Sequence, residues 1–291
     1  MLSNCWVADR QQAQLGAVQE TLFIPLAARA RETRKKRALL RDPKAVEMTE
    51  SIQFDAGKYG RGAGGLVVIL RTAIFDTWVR SFVAAHPSGT VVEIGTGLNT
   101  RFERVDNGTV HWIDMDLPDT IELRRKFFTD TDRRRMIAAS VTDEGWLETV
   151  RESPGPYFFI SEGVLVYLTE QQVTAALTRI AEGFPGAFLA FDTYAERTLK
   201  QQHRMAARRN MRATWAWACD DPRSLERLGL RVEESTTITR PPAAVRAGLP
   251  ATFRYLLPLT DPVFGRALRL TLFRADLLRR AERPPQASPR S

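Results

Sequence analysis

The sequence predicts a doubly wound α/β protein with a seven-stranded, mostly parallel sheet. Three observations point there. From residue 87 onward, short runs rich in Val, Ile and aromatic residues alternate with helical stretches. The first run leaves through a glycine-bearing turn, Glu93-Ile94-Gly95-Thr96-Gly97, and the second closes on a carboxylate, Asp116. Alternation of this kind builds βαβ units and a parallel sheet.

The elements follow in order. Pro87-Ser88-Gly89 opens the first strand, 90–94, and Gly95 closes it. Strands at 110–116, 135–141, 157–161 and 187–191 come next, separated by helices at 121–129, 146–151 and 170–182. Segments 230–238 and 268–275 complete the seven strands. Between them and the fifth strand lies a helical insert, about 195–218. Upstream, residues 10–86 are Ala-rich, charged and helical in spacing, broken by a glycine-rich loop at 57–65. The expected division is an N-terminal helical lid region over 1–86, a sheet domain over 87–281, and a disordered Pro/Ser-containing tail over 282–291.

Composition narrows the class. Hydrophobic residues at 44% and charged residues at 26% suit a globular chain of 291 residues. No apolar run approaches the roughly 20 residues of a membrane span, and no signal core is visible, so a cytoplasmic protein without a membrane partner is expected. Two cysteines, Cys5 and Cys219, and three histidines build neither a disulfide framework nor a metal set, so no metal is expected. The net charge of +8 favours anionic partners. Its basic runs are scattered and lack the aromatic pattern of a nucleic-acid module, so they read as solvated helix faces and ends; no nucleic-acid partner is expected, and the expected partner is a small acidic or aromatic molecule. A monomer or a homodimer fits equally.

The turn after the first strand reads as a nucleotide site. Gly95 and Gly97 allow a sharp turn and close approach of a ligand. Asp116, 19 residues beyond Gly97, is placed to grip ribose hydroxyls. Thr100 stands where a dinucleotide fingerprint has its third glycine, and Glu93 would discourage a pyrophosphate. These features favour S-adenosylmethionine (SAM), which carries no phosphate. An NAD(P)-dependent oxidoreductase and a non-catalytic basic binding protein remain the competing readings.

Five ordered segments carry a family resemblance. They are Arg29-Ala30-Arg31-Glu32-Thr33 with Leu40-Arg41-Asp42-Pro43, Leu70 to Asp76, Val91 to Arg101, Trp112 to Pro118, and Ser161-Glu162-Gly163-Val164-Leu165-Val166-Tyr167-Leu168. Together the chain resembles the leucine carboxyl methyltransferase and tetracenomycin-type polyketide O-methyltransferase family. The resemblance implies a Rossmann-like class I methyltransferase fold, with N-terminal helices and a helical cap insert, that uses SAM. It implies that Arg71, helped by Arg29, holds the methionine carboxylate. Gly95, Thr96 and Gly97, with Glu93 ahead of them, pass under the cofactor, and Asp116 binds the ribose. Glu162 lies near the methionyl amino group and Tyr167 near the reaction centre. Two positions depart from the family: Asn99 replaces its usual Asp, and Ser140 stands where the third strand often ends in Asp. Ser140 and Val141 are therefore expected only as contacts to the adenine.

Each residue also has a plainer reading. Arg71 could pair with Asp76 on a helix, Glu162 could cap a turn, Tyr167 could be core, and Asp114 reads as structural. For the acceptor, a carboxylate needs no general base, whereas a phenol with pKa near 10 benefits from one. The reading is O-methylation of a small acidic or aromatic molecule, such as a polyketide-like secondary metabolite, with phenolic O-methylation as the alternative. In the insert, His203 is the candidate base. Arg204, Arg208 and Arg212, with Arg197 before them, form a basic face, and Trp215, Trp217, Met205 and Met211 are candidates for an apolar wall.

Overall fold

A computed structural model describes residues 19–52, 54, 62–209 and 214–276. The expectations for 1–18, most of 55–65, Met211, Arg212 and the tail concern residues outside these. After a short 3-10 turn (Gln19–Leu22), α1 (Phe23–Thr33), α2 (Pro43–Ser51) and α3 (Gly62–Ala85) lead into the sheet. The sheet region runs β1 (Thr90–Ile94), α4 (Arg101–Val105), β2 (His111–Asp116), α5 (Pro118–Arg124), β3 (Arg134–Ala138), α6 (Trp146–Arg151) and β4 (Tyr157–Ser161). It continues through α7 (Glu170–Gly183), β5 (Phe188–Tyr194), α8 (Glu196–Arg209) and β6 (Leu230–Thr237). The last elements are α9 (Ala243–Gly248), α10 (Ala251–Leu259), α11 (Asp261–Phe264) and β7 (Leu268–Ala275).

The seven strands are ordered β3-β2-β1-β4-β5-β7-β6, with β7 antiparallel to both neighbours. The central strands β1 and β4 are buried on both faces, which explains why they are mostly apolar, with Glu93 of β1 the charged exception. Strand order reverses between β1 and β4. Open α/β sheets bind ligands at such a switch point, beyond the carboxyl ends of the strands. Here those ends are Gly95 after β1 and Glu162 after β4, brought level by the pairing of Ile94 with Ser161.

The two larger core clusters lie under α6 and α7 and under α3, and a third packs α1 and α2 against α5. Several expected boundaries move. Gly62, Gly64 and Gly65 belong to α3, not to a loop. β3 ends at Ala138, so Ser140 and Val141 lie in the following loop, where the Asp143 carboxylate accepts from the Ser140 amide. Helix α5 starts at Pro118, whose fixed φ suits a first helical turn, rather than at 121. β5 extends three residues further than expected, to Tyr194, because β7 pairs along its full length. Helices α9 to α11, between β6 and β7, were not anticipated at all.

Candidate active site

The switch point opens into a cavity of about 520 Å³. Gly95 and Gly97 have left-handed φ values of +65° and +52°. A Cβ at Gly95 would lie 2.3 Å from the Val164 side chain, because the turns after β1 and β4 interdigitate there. A Cβ at Gly97 would lie 2.7 Å from Leu22, which covers the turn from the N-terminal segment. That segment is clamped down: Arg29 donates to the Leu98 carbonyl at 2.6 Å and to Asp42 at 2.8 Å.

The carboxylate of Asp116 accepts from the amides of Gly97 and Leu117, both at 2.7 Å, so it shapes the turn as well as lining the cavity. Burial raises its pKa. Asp114, two residues earlier, is fully buried and accepts from Thr96, Trp112, Arg124 and Arg134. Its role is structural.

A continuous ion-pair network lies behind the cavity. Arg71 donates to Glu162 and Asp192, each at 3.1 Å, and to the Tyr194 hydroxyl at 2.9 Å. It does not pair with Asp76. That carboxylate is held by Arg101 and Arg104, which keep it down at about 2 although burial opposes them. Arg101 is fully buried and also reaches Glu93 and Glu162. Burial would raise Glu162, but Arg71 and Arg101 outweigh it and hold the carboxyl below its usual range. Glu93 goes the other way. Burial, reinforced by Asp114, pushes it up to about 7 against the pull of Arg101. Its Oε1 accepts from Asn99 at 2.7 Å, while its buried Oε2 has no hydrogen-bond partner. Gly163, at φ +71°, lets the β4 turn pass the Arg71 guanidinium, 2.9 Å from where a Cβ would stand. Its amide donates to Asp192 at 2.8 Å.

Arg29, Arg71, Glu93, Gly95, Thr96, Gly97, Asp116, Ser140, Val141, Glu162 and Tyr167 all line this one cavity. His203 does not. It sits on α8, and its Nε2 is 2.7 Å from the carbonyl of Trp215, which does line the cavity. Arg197, Arg204 and Arg208 are exposed. Trp217 is buried in the core under α6 and α7, and Met205 is exposed, so of the described residues of the proposed apolar wall only Trp215 lines the cavity. Asp192 and Tyr194 were missed, since both lie in the unanticipated extension of β5. Arg101 entered the sequence reading only as the last residue of the glycine-loop resemblance and was given no role. Its position eight residues after Glu93 on the helix following the turn was the available signal.

The cavity has two halves of different chemistry. Around the glycine turn it offers Arg71 for an anion, Glu93 and Glu162 for a cation, and Asp116 for hydroxyls. The orphaned Glu93 oxygen suits a cationic donor. That combination fits the amino-acid end and ribose of SAM. The other half is made of Ile24, Pro25, Val67, Val166, Tyr167, Tyr194, Trp215 and their neighbours. Among the described residues no group of three or more His, Cys, Asp or Glu is arranged to hold a metal ion, and no helix is long and apolar enough to cross a membrane.

Comparisons with known proteins agree. A model of the leucine carboxyl methyltransferase family matches residues 23–181, the span from α1 to α7. The tetracenomycin polyketide synthesis O-methyltransferase TcmP of Streptomyces glaucescens is 36% identical over 233 residues, covering 79% of this chain and 86% of the relative. The S-adenosyl-L-methionine-dependent methyltransferase dpfgK of Gibberella zeae is 24% identical over 241 residues, 75% of this chain and 80% of that one. Among solved structures, a Thermobifida fusca protein provisionally classed as a methyltransferase superposes with a TM-score of 0.56 at 16% identity, covering 94% of this chain and 100% of the other. That likeness extends to the fold alone. The oxidoreductase reading falls with the family match.

Proposed function

Because the chain belongs to the leucine carboxyl methyltransferase family and is a SAM-dependent methyltransferase, we propose that it methylates an oxygen, the carboxylate of a small lipophilic acid. The observation that carries this is the acceptor half of the cavity. Among the described residues, the side chains lining it from Thr21 to Pro25, at Val67 and Val68, from Val166 to Leu168, and at Tyr194 and Trp215 include no His, Lys, Asp or Glu. A phenol would find no base there to take its proton. A carboxylate arrives ionised at neutral pH. The relative named as a polyketide synthesis O-methyltransferase supports an oxygen acceptor.

Bound SAM supplies an activated sulfonium methyl that needs an aligned nucleophile and a water-poor site. The chain provides both conditions. Arg71 offers a guanidinium fork to the methionine carboxylate, Glu162 and Glu93 face its ammonium, and Asp116 accepts from the ribose. Ser140 and the buried Val141 lie toward the adenine. On the acceptor side, the Tyr194 and Trp215 rings, 4.3 Å apart between centroids, and the aliphatic side chains exclude water and flank a planar or acyl body. Tyr167 contributes a hydroxyl at this junction. Position and desolvation, rather than proton transfer, carry the rate. The test is a labelled-SAM screen of matched carboxylic acids and phenols with mass analysis of the product. Methyl esters are expected; methylation confined to phenols would overturn the carboxylate reading.

A pH dependence follows from Glu93. With its pKa raised to about 7, it is partly protonated at neutral pH. A bound ammonium facing it favours the ionised form, so binding releases a proton. S-adenosylhomocysteine affinity should rise from pH 6 to pH 8. Calorimetry at pH 7 in two buffers of different ionisation heat should show proton release, and Glu93→Gln should abolish it. Identical heats in both buffers for the unmodified protein would exclude the coupling.

A further inference from the structure

The segment between β6 and β7 has a surface unlike the rest of the molecule. Seven large hydrophobic side chains are exposed among the described residues, and five of them fall here: Phe253, Tyr255, Leu256, Leu259 and Phe264. Helix α10 has no buried residue. Tyr255 and Leu259 are 75% and 73% exposed, far more than a core-packing helix leaves bare. At 3.6 residues per turn, Phe253, Tyr255, Leu256 and Leu259 share an arc of roughly 160°, while Leu257 points elsewhere and packs on the α3 core. The lobe that carries this face is basic, although Arg254 lies on the opposite side of α10, donating to the Ala247 and Leu249 carbonyls. Between residues 238 and 267 the chain has Arg240, Arg246, Arg254 and Arg266 against one acid, Asp261, which is already paired with Arg240 at 2.9 Å.

The topology places this face. β6 runs parallel to β5, β4 and β1, since both β5 and β6 are antiparallel to β7. The connection from β6 to β7 therefore emerges at the carboxyl edge of the sheet, the edge on which the cavity opens.

We propose that the α10–α11 face docks the protein reversibly on an anionic lipid surface. An apolar stripe flanked by basic residues is the signature of a helix lying in a membrane interface. Charge complementarity selects this occupant over a second copy. A twofold contact through this lobe would bring its excess of positive charge, four arginines against one aspartate, up to a second copy of itself. The expectation of no membrane partner considered only spanning segments, and α10, nine residues long, spans nothing. Docking at this edge brings the cavity to a phase in which lipophilic acids concentrate. The inference does not depend on which oxygen is methylated.

The experiment is co-sedimentation of the full chain with vesicles of phosphatidylcholine alone and of phosphatidylcholine with about one-third phosphatidylglycerol. Binding to the anionic vesicles is expected to be at least tenfold tighter and to weaken with added salt. The double variant Phe253→Ser, Leu256→Ser should lose at least tenfold in vesicle binding. Its thermal midpoint and its affinity for S-adenosylhomocysteine should stay unchanged, since neither residue lines the cavity. No binding to anionic vesicles would overturn the proposal. So would equal binding by the double variant. A third overturning result is sedimentation equilibrium in which the unmodified chain is a dimer, the variant a monomer, and neither binds lipid.

Discussion

Replacing Arg71 with alanine is expected to weaken S-adenosylhomocysteine binding by at least tenfold, as read by calorimetric titration. A tenfold loss corresponds to about 1.4 kcal/mol, less than the about 1.5–3 kcal/mol ordinarily associated with a hydrogen bond to a charged group. Arg71 is mostly buried at the cavity wall and is held from behind by Glu162, Asp192 and Tyr194. Those contacts fix the guanidinium before the ligand arrives, so little side-chain freedom is lost on binding. The substitution also leaves Asp192 without its cation. Burial already raises that carboxyl, and without Arg71 it should take up a proton rather than unfold the site. Arg71→Lys keeps the charge but loses the fork, and should fall between the two. Unchanged affinity in the alanine variant would remove Arg71 from the cofactor site.

The second large effect is on stability. Arg101 reaches three acids, Asp76, Glu93 and Glu162, and is itself wholly buried. Arg101→Met would leave them short of a partner in the protein interior. Breaking a buried pair by removing one member costs about 3–5 kcal/mol. For a chain of this size the thermal midpoint should fall on the order of 10 °C. The deficit should depend on pH. Without Arg101 the three carboxyls gain neutral character, so their folded-state pKa values rise. A raised folded pKa contributes stability that is present at low pH and lost as pH rises through it. The variant's deficit should therefore be smaller at pH 5.5 than at pH 8, measured by calorimetric melting at both. A deficit larger at pH 5.5 would contradict the assigned network.

How much of this was legible in the chain differs from element to element. β1 and β4 are short, mostly apolar runs between turn residues, and their limits were read correctly because the turn residues on either side bound them sharply. β7 was read correctly as well. β5 was cut short because Asp192 and Thr193 break the apolar run. Those polar residues are accommodated by a partner strand more than 70 residues away, which no local pattern reveals. The same blindness hid Asp192 and Tyr194 from the site. The turn and the segments after β1, β2 and β4 were legible because glycine and carboxylate positions there answer to local backbone geometry. Arg101 was visible but given no role, since its three partners come together only in the fold. His203 was an attractive base by elimination, yet α8 turns it onto the backbone of Trp215 instead of into the cavity. The lobe of α9 to α11 escaped notice because short helices whose apolar side chains face outward show no core-seeking period.

Tyr194 belongs to both halves of the cavity: its hydroxyl steadies Arg71 and its ring leans on Trp215. Diversification of such an enzyme toward new acceptors is thereby channelled. Changes at Tyr194 alter the donor site at the same time, so selection for a new acceptor would penalise them whatever they gain in fit. Val67, Val166 and Ile24 form no hydrogen bonds through their side chains, and remodelling there is decoupled from the donor site. Libraries built at those three positions should yield altered acceptor range with cofactor affinity intact, while libraries at Tyr194 should show the two traits drifting together.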